Sequence, residues 1–322
     1  MRIVVIGATG HVGGYLVPRL VAAGHEVIAL SRGLQRKYRD DPAWSKVTTV
    51  TIDREAEDRA GTFAGRVADL NPDVVVDMIC FTRDSAEQLV EALRGRVSLL
   101  VSCGSIWVHG FLTEVPVTED AVRKPWGEYG IGKAQIEELL LRESRATGGL
   151  RTVVLHPGHI SGHGFDCINP IANLDLDVWD KLASGQELVM PGFGLETVHH
   201  VHPDDVAQGF QLAIERQSEA AGNSFHIVSE RALTLRGYAE AVAGWSGREA
   251  NLRFVPFDEF RTTVGDASAE ISAAHIQRSH SVSIEKARRL LGYSPRFSSL
   301  DAVRESVDWL RASGAIAGEA TS

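Results

Sequence analysis

Cysteine is scarce in this 322-residue chain: it occurs only as Cys80, Cys103 and Cys167. None of the three belongs to a CxxC pair, and an odd number of cysteines cannot be joined completely by intramolecular disulfides. A disulfide framework and a zinc site are therefore not expected. Free thiols are typical of a reducing compartment, so the sequence predicts a cytoplasmic location.

The chain also lacks a long apolar run and an excess of positive charge. No stretch reaches the roughly eighteen apolar residues of a transmembrane helix. The N-terminal MRIVVIGATG passes from a short apolar run directly into a glycine turn, which is not the pattern of a signal peptide. With a formal net charge of −9, binding to nucleic acid or to an anionic membrane is disfavoured.

Short β-branched segments alternate with segments of helical spacing in the first half of the chain. The strand candidates are RIVVIG, HEVIAL, KVTTVTI, DVVVDMI, VSLLVS and RTVVLH, and SFHIVSE follows later. The helix candidates between them are HVGGYLVPRLVAAG, RDSAEQLVEALRG and GKAQIEELLLRES. This alternation predicts an α/β protein with a doubly wound parallel sheet. After about residue 160 it weakens: PGHISGHGFDCINP predicts a loop, and the segment from LTLRGYAEAVAGWSG onward a mostly helical tail.

A glycine-rich turn opens the chain, with Gly7, Gly10 and Gly13 between the first strand and the first helix. Glycines in such a turn allow the backbone to approach a pyrophosphate closely, and the helix N-terminus then faces the anion. The order strand, turn, helix is the context that a dinucleotide-binding turn requires. The alternative is a turn whose glycines serve only the backbone.

The end of the second strand bears on which dinucleotide binds. A carboxylate there accepts a hydrogen bond from a ribose 2′-hydroxyl, whereas an arginine accommodates a 2′-phosphate. The sequence has Ser31 and Arg32 at this point and no carboxylate, with Arg36 and Lys37 close by. These residues favour NADP as the cofactor, with NAD as the alternative.

The segment YGIGK places Tyr129 and Lys133 on the same face of a predicted helix. An ammonium group near a phenol favours the phenolate, so Lys133 is expected to lower the pKa of Tyr129 and make it a usable acid or base. Ser105 lies at the end of a parallel strand, where ligands of such sheets bind. Its hydroxyl could hold a substrate carbonyl while Tyr129 delivers a proton. Because Tyr and Lys at this spacing also occur on solvated helices, the interpretation depends on all three residues together.

These features resemble one family, the extended short-chain dehydrogenases/reductases, which include NAD(P)-dependent epimerases and dehydratases. The matching segments cover almost the whole chain in the family's order: GATGHVG, Asp53 after the third strand, SCGSIWVHG, YGIGKAQIEELL, LHPGHISGHG in place of an Arg-Pro-Gly loop, VHPDDVAQG and SIEKARRLLGYSPRFS. The resemblance implies a Rossmann-type sheet and a homodimer. It also implies a cofactor-binding domain of residues 1–162 plus 197–228, and a smaller interleaved substrate-binding domain of residues 163–196 plus 229–322.

The resemblance further implies roles for individual residues. Ser105, Tyr129 and Lys133 are expected to be catalytic, and Lys133 also to hold the nicotinamide ribose. Asp53 is expected to hydrogen-bond the adenine, or else only to cap a strand end. The residues implied to contact the dinucleotide are Gly7, Thr9, Gly10, His11, Val12, Gly13, Ser31, Arg32, Asp53, Arg54, Ile79, Cys80, Phe81, Cys103, Tyr129, Lys133, Pro157, Gly158, His159 and Ile160.

Three departures from the family pattern bear on the reaction. Dehydratases carry Asp-Glu after the catalytic Ser or Thr, where this chain has Ile106 and Trp107. Several sugar-nucleotide enzymes place an Arg four residues before the His of the VHPDDVA segment, where this chain has Val198. His109 stands in the place of a Tyr. A dehydratase is therefore not expected, and a nucleotide-sugar substrate is in doubt unless another arginine substitutes; the candidates are Arg236, Arg253, Arg261 and Arg278.

Aromatic and histidine residues shape the expected substrate pocket. Trp107 with Phe81, Trp126 and Phe165 predicts an apolar or aromatic wall, although each residue alone is equally compatible with the core. Six histidines fall in two loops: His156, His159, His163, His199, His200 and His202. They could supply metal ligands, but no acidic ligand is obviously placed beside them and hydride chemistry needs no metal, so no metal site is expected. We expect Trp107 and His159 or His200 to face the substrate.

The sequence therefore predicts an NADP-dependent oxidoreductase that acts on a small-molecule carbonyl compound or the corresponding alcohol. The alternative within catalysis is an epimerase that oxidises and re-reduces a sugar carbon. A non-catalytic dinucleotide-sensing module is disfavoured by the intact Ser105, Tyr129 and Lys133, and RNA binding by the charge balance. The substrate itself is beyond what a fold-level resemblance can supply.

Overall fold

Strands and helices alternate through the structure. The computed structural model describes residues 1–33 and 39–317. The strands are β1 (Arg2–Ile6), β2 (Glu26–Ser31), β3 (Thr48–Thr51), β4 (Val74–Asp77), β5 (Leu99–Cys103), β6 (Thr152–Pro157), β7 (His159–Ile160), β8 (Leu188–Pro191), β9 (Thr197–Val198), β10 (His200–Val201), β11 (Ser224–Ile227), β12 (Leu233–Thr234) and β13 (Leu252–Val255). The α-helices are α1 (Gly13–Ala22), α2 (Arg54–Arg59), α3 (Phe63–Asp69), α4 (Arg83–Leu93), α5 (Gly127–Arg145), α6 (Asp177–Ser184), α7 (Pro203–Glu215), α8 (Gln217–Ala220), α9 (Leu235–Trp245), α10 (Phe257–Val264), α11 (Asp266–Ile276), α12 (Glu285–Leu291) and α13 (Ser299–Ala312). Two 3-10 helices span Pro42–Lys46 and Ile106–His109.

Seven of the described strands form one parallel sheet in the order β11-β6-β5-β4-β1-β2-β3. The chain builds one half outward from β1 through β2 to β3 and then crosses to β4 on the other side of β1. In such a sheet the ligand crevice lies outside the carboxyl ends of the strands, where the order reverses. The predicted doubly wound α/β fold is confirmed.

The sheet is covered on both faces, which explains its near-continuous apolar strands. Ile3 and Val5 of β1 pack in one buried cluster with α1, α7 and α12. Val4 and Ile6 point the other way and pack with α3, α4 and α5. Each fully buried aliphatic side chain contributes about 1.5–3 kcal/mol relative to an exposed one, so the two faces together hold the strand ends in place.

A third apolar cluster lies apart from the sheet and joins α6, α9 and α13 with several short strands. Trp179 and Tyr238 are almost fully buried in it. Its residues fall between 167 and 198 and between 233 and 316. The domain bounds given above stay a prediction.

Two segments differ from the sequence prediction. The expected loop PGHISGHGFDCINP contains β7, which pairs in parallel with β10. A Cβ at Gly158 would lie 2.3 Å from the carbonyl oxygen of His199, so the glycine allows these segments to approach closely. The expected helical tail contains β13, which pairs with β8. Strands this short give too few residues for a periodicity to be read. Within the described residues, no helix combines the length and apolar character needed to cross a membrane.

Candidate active site

The glycine turn after β1 is shaped by close backbone approaches. Gly7 has a φ of +84°, which favours glycine. A Cβ at Gly13 would lie 2.2 Å from the carbonyl oxygen of Ala8, and one at Gly10 would lie 3.2 Å from that of Gly7. The first turn of α1 has no side-chain cap. The N–H groups of Gly14, Tyr15 and Leu16 donate to the carbonyl oxygens of Gly10 and Val12. The positive end of the helix dipole still favours an anion such as a pyrophosphate at this turn.

A cleft of about 760 Å³ runs from this turn along the carboxyl ends of the strands. The expected cofactor residues that line it are Gly7, Thr9, Gly10, Ser31, Arg32, Asp53, Arg54, Ile79 and Phe81. Its walls also include Ile6, Leu30, Ile52, Thr82, Asp84 and Ser85. The size of the cleft, the glycine turn and the uncapped helix together fit a nicotinamide dinucleotide.

Ser31 and Asp53 are held by local hydrogen bonds at the end of the cleft beside β2 and β3. Ser31 Oγ accepts from the N–H of Gly33 (3.3 Å), so the hydroxyl proton stays available to a ligand. Asp53 caps α2, because its Oδ1 accepts from the N–H of Ala56 (3.1 Å). Arg32 is exposed on the cleft wall. The two other expected cations, Arg36 and Lys37, lie outside the described residues.

Arg54 is bound by protein partners rather than projecting freely into the cleft. Only 7 % exposed, it donates to Asp77 Oδ1 (2.5 Å), Asp58 Oδ2 (3.2 Å) and Ser85 Oγ (2.9 Å). Asp77 Oδ1 also accepts from the N–H of Ile79 (3.2 Å). Arg54 and Asp77 thus join the segment after β3 to the segment after β4.

The remaining expected cofactor residues lie at the rim of the crevice or behind it. Val12 packs in the core beneath the turn. His11 is buried, with Nε2 3.0 Å from the carbonyl oxygen of His163 and its ring stacked on Phe165 at 5.0 Å. Pro157 ends β6, and residues 158–160 continue into the β7–β10 pair.

The two glycines of YGIGK allow α5 to pack closely on the strand ends. A Cβ at Gly130 would lie 3.1 Å from the carbonyl oxygen of Trp107, and one at Gly132 would lie 2.7 Å from that of Phe81. This approach brings Tyr129 and Lys133 to the crevice. The segment is therefore more than an ordinary helical turn.

Lys133 is buried and fixed by main-chain groups at the ends of two neighbouring strands. Its Nζ donates to the carbonyl oxygens of Cys80 (2.8 Å) and Cys103 (2.7 Å). It also lies 4.8 Å from the centre of the Phe81 ring. An ammonium has three N–H donors, so these two hydrogen bonds leave one for a ligand.

Tyr129 lies between Phe81 and Trp107, with ring-centre distances of 6.4 and 5.7 Å. Although the residue is 45 % exposed, desolvation of its phenol raises the pKa to about 12; Cys103 adds to this and a hydrogen bond with Ser105 opposes it. The expected lowering of this pKa by Lys133 is therefore wrong. The ammonium lies 5.9 Å from the centre of the Tyr129 ring and is already bonded to two carbonyl oxygens.

Ser105 is oriented by the helix that follows it. Its Oγ accepts from the N–H of Trp107 (3.2 Å), and the residue is 6 % exposed. Because the oxygen already accepts one hydrogen bond from the backbone, its own proton is free to be donated to a carbonyl oxygen or to the Tyr129 phenol.

Beyond Tyr129, an arginine lies between two indoles. The guanidinium of Arg278 is 3.8 Å from the centre of the Trp107 ring and 3.5 Å from that of Trp126. It donates to the carbonyl oxygens of Ala274 (2.6 Å) and Trp126 (2.9 Å), and its Nε has no partner among the described residues. Desolvation lowers the pKa of Arg278 to about 10, so it stays a cation at neutral pH. The other candidate arginines, Arg236, Arg253 and Arg261, form exposed ion pairs instead.

Four histidines cluster beside Trp107; His200, His275 and His280 are buried and His159 is partly buried. The ring of His159 lies 5.6 Å from that of His200, 5.0 Å from His275 and 6.4 Å from His280. His275 in turn meets Trp107 edge-on at 5.3 Å. Desolvation lowers the pKa of all four, which keeps them neutral. Within the described chain, the Nε2 atoms of His159, His200 and His280 are buried without a hydrogen-bond partner.

Three of the other histidines of the two loops have separate partners. His156 contacts Glu137, His199 the carbonyl oxygen of Ser229, and His202 the carboxylate of Glu305. In the part of the chain that the structure describes, no three His, Cys, Asp or Glu residues are placed to share a metal ion.

Three of the positions that depart from the family pattern, Ile106, His109 and Val198, are buried, whereas Trp107 is partly exposed. Val198 is fully buried in the third cluster and pairs with Leu233, so it lies in the core rather than facing a ligand. His109 is buried, with its Nε2 2.7 Å from Nε2 of His226. Trp126 also stacks on Phe111 at 5.4 Å.

Several residues of the site were missed by the sequence analysis. Asp77 closes the apolar strand DVVVD, and a carboxylate at such a strand end is a local signal that could have been used. His275 and His280 lie more than a hundred positions after His159, and nothing in the local pattern links them. Glu137 follows Lys133 by one helical turn, which is a weak signal by itself.

Comparison with known proteins agrees with this geometry. The sequence model of the NAD dependent epimerase/dehydratase family matches residues 3–227. The chain belongs to this family. The resemblance drawn from the motifs is thereby confirmed, and the protein is an enzyme of the extended short-chain dehydrogenase/reductase type, an oxidoreductase or epimerase that uses a nicotinamide dinucleotide.

Individual members of the epimerase/dehydratase family differ in what they do. A 2′-dehydrokanamycin reductase of Streptomyces kanamyceticus is 30% identical over 83% of this chain and 73% of its own length. The chloroplast stem-loop binding protein of 41 kDa b of Arabidopsis thaliana is 24% identical over 95% of this chain and 78% of its own. A UDP-glucose 4-epimerase of Thermotoga maritima, solved with UDP-glucose, has 19% identity and a TM-score of 0.72 over 97% of this chain and 99% of its own, which shows a shared fold.

Proposed function

We propose that this family member is an NADPH-dependent reductase that converts a ketone on a sugar-like small molecule into an alcohol. The observation that carries the proposal is the end of β2, where Ser31 and the exposed Arg32 meet the cleft in place of a carboxylate. An arginine there suits a 2′-phosphate. The 30% identical relative, named a 2′-dehydrokanamycin reductase, supports both the direction of the reaction and a sugar-like substrate.

The chain supplies the acid and the electrostatic stabilisation for this reaction. A nicotinamide cofactor bound in the cleft supplies the hydride. Ser105 donates its free proton in a hydrogen bond to the carbonyl oxygen. Tyr129, whose raised pKa keeps it protonated at neutral pH, delivers a proton to that oxygen as negative charge develops. The fixed ammonium of Lys133 stabilises the same charge.

The epimerase alternative has less support. In a nucleotide-sugar enzyme of this family a cation is expected at the position of Val198, which is buried in the core here. Binding of a nucleic-acid stem-loop, which the name of one relative suggests, is opposed by the net charge of −9. A protein that only senses the dinucleotide would not need Ser105, Tyr129 and Lys133 in this arrangement, so this role is also less well supported.

The cellular location and the oligomeric state of the enzyme are also proposals. We propose a cytoplasmic homodimer with the two interleaved domains given above, since three free cysteines suit a reducing compartment. Sedimentation velocity of the purified protein tests the dimer, and a single monomeric species would reject it.

The first experiment tests the cofactor. Fluorescence titration with NADPH and NADH should show tighter binding of NADPH. Arg32→Ala should weaken NADPH binding by about tenfold or more, since a charge-assisted hydrogen bond contributes about 1.5–3 kcal/mol, and should leave NADH unaffected. Arg96→Ala, which removes an exposed arginine outside the cleft, serves as the control. Purified protein that retains NAD and does not exchange it for NADPH would instead favour the epimerase.

The second experiment tests the chemistry with 2′-dehydrokanamycin and related ring ketones as substrates. Tyr129→Phe should lower kcat by about 10²–10⁴-fold, which is the usual contribution of a positioned acid, while NADPH affinity stays unchanged. A variant that keeps its full kcat would remove Tyr129 from the mechanism.

A further inference from the structure

A chain of buried polar groups lies directly behind Ser105. The main-chain N–H of Ser105 donates to Nδ1 of His156 (2.9 Å), and Nε2 of His156 lies 3.0 Å from Oε1 of Glu137. Arg123 donates to both oxygens of Glu137, at 2.7 and 2.9 Å. His156 is fully buried and Glu137 is 4 % exposed. The mechanism above uses none of these three side chains.

The hydrogen bonds fix the tautomer of His156. A main-chain N–H can only donate, so Nδ1 must present a lone pair and the ring proton must lie on Nε2. Nε2 then donates to Glu137. The two-pronged contact from Arg123 is the arrangement that an ionised carboxylate accepts. Each member therefore has one orientation that satisfies its neighbours.

Close packing fixes the ring against the backbone that carries Ser105. A Cβ at Gly104 would lie 2.3 Å from Nδ1 of His156 and 2.6 Å from its Cε1. Only glycine leaves room for the imidazole at this point. The peptide between Gly104 and Ser105 is the one that the imidazole contacts, and its orientation sets the direction of the Ser105 side chain.

The same chain connects the two elements that carry the reacting groups. Glu137 lies one helical turn after Lys133 on α5, the helix that also carries Tyr129. His156 lies on β6, next to the strand β5 that leads to Ser105. A hydrogen-bonded path therefore runs from the helix of Tyr129 to the backbone of Ser105.

We propose that His156, oriented by Glu137 and Arg123, is a positioning residue that fixes the Ser105 hydroxyl relative to Tyr129. The proposal rests on the proposed roles of Ser105 and Tyr129. Histidine is specifically suited to this function. An arginine at this position could pair with Glu137 but would offer no acceptor for the N–H of Ser105.

Two substitutions of similar size separate the two contacts of the ring. In His156→Asn the amide oxygen can take the place of Nδ1 and accept from Ser105, whereas the contact with Glu137 is lost. In His156→Gln the amide nitrogen can take the place of Nε2 and donate to Glu137, whereas the acceptor for Ser105 is lost. A role that is only structural predicts comparable effects of the two changes.

The first readout does not depend on any activity. Hydrogen exchange of the Ser105 amide, followed by NMR, should accelerate by about tenfold or more in His156→Gln, as expected when a buried hydrogen bond is lost, and much less in His156→Asn. In the unmodified enzyme, ¹⁵N NMR should show an unprotonated Nδ1 and a coupling across the hydrogen bond to the Ser105 nitrogen. A protonated Nδ1, or equal exchange in both variants, would overturn the proposal.

The second readout uses NADPH and 2′-dehydrokanamycin. His156→Gln should lower kcat by about tenfold, with the KM for NADPH unchanged, and His156→Asn should recover most of the loss. If exchange accelerates in His156→Gln while kcat stays the same, the positioning role is wrong. If no ring ketone is reduced by the unmodified enzyme, the proposed function fails, and the exchange and NMR results still decide whether His156 holds Ser105.

Discussion

The two sides of the crevice are built in different ways. On the cofactor side, the walls come from short segments that directly follow β1, β2, β3 and β4, and their shape is set by glycines and main-chain groups. On the far side of Tyr129, the walls come from side chains of distant segments, with Arg278 between two indoles and four histidines in contact. The first side is an open cleft with main-chain groups and apolar side chains in its walls, whereas the second is largely buried and contains nitrogens without a hydrogen-bond partner among the described residues.

This difference indicates different tasks. A backbone-built cleft presents the same groups whatever the neighbouring side chains are, which suits a cofactor shared by a whole family. A wall built from side chains can change with each substitution, which suits a substrate that differs between members. Among the described residues, several buried imidazole nitrogens have no hydrogen-bond partner. A polar ligand could form the missing hydrogen bonds.

Acidification should give the largest effect and should reach the histidine side first. Burial lowers the pKa of His199 to about 4 and that of His200 to about 3, compared with 6.5 in the unfolded chain. Since these folded-state pKa values are depressed, the stability they contribute is present above pH 6.5 and is lost as the pH falls below it. Each such group then costs about 1.4 kcal/mol per pH unit, until its folded-state pKa is reached.

Thermal unfolding between pH 7.5 and 5 checks this expectation, with hydrogen exchange to locate the change. Segments 197–202 and 271–282 should lose protection before residues 74–103, which contain no histidine. Residues 1–31 are a poorer reference, because burial also lowers the pKa of His11 to about 4. Uniform loss across both sides, or a free energy of unfolding that does not change down to about pH 5, would contradict the difference between the two walls.

Arg278 gives the next largest expected effect. Arg278→Ala removes the group between Trp107 and Trp126 and should destabilise the fold by about 2–5 kcal/mol through the cavity it leaves. Arg278 is a buried charge with no carboxylate partner among the described residues. Arg278→Met fills a similar volume without that charge, so the stability of this variant should equal or exceed that of the unmodified protein. Urea unfolding compares the variants. Equal losses in both would show that the charge itself, through its contact with the indoles, stabilises the wall.

The sequence was sufficient for the parts of the site that are local. The turn at Gly7, the strand end at Ser31 and Arg32 and the spacing of Tyr129 and Lys133 all follow from neighbouring residues. The pKa of Tyr129 could not be predicted in the same way, because it depends on desolvation by folded neighbours and on carbonyl groups that bind Lys133. The histidine cluster was not predicted either, since its members come from three segments, around His159, around His200 and at 275–280, that only the tertiary fold brings together.

The smallest expected effects come from a pair of adjacent glycines on the cofactor side. Gly13→Ala places a methyl group about 2.2 Å from the carbonyl oxygen of Ala8, and the contact is with backbone, which cannot turn aside. We expect a loss of about 1–3 kcal/mol in the free energy of unfolding together with weaker NADPH binding. Gly14→Ala is the matched control, because nothing lies within 4 Å of its added methyl group and alanine stabilises a helix by about 0.8–1 kcal/mol relative to glycine.

Chemical denaturation and NADPH titration of the two variants should therefore give shifts of opposite sign in stability, and only Gly13→Ala should weaken binding. If Gly13→Ala binds NADPH normally, the backbone of the turn can shift to make room for the methyl group. The cofactor side would then be no more rigid than the substrate side. If Gly14→Ala also weakens binding, the start of α1 needs both glycines. Because both glycines lie in the first turn of α1, the anion site would then depend on the packing of that whole turn.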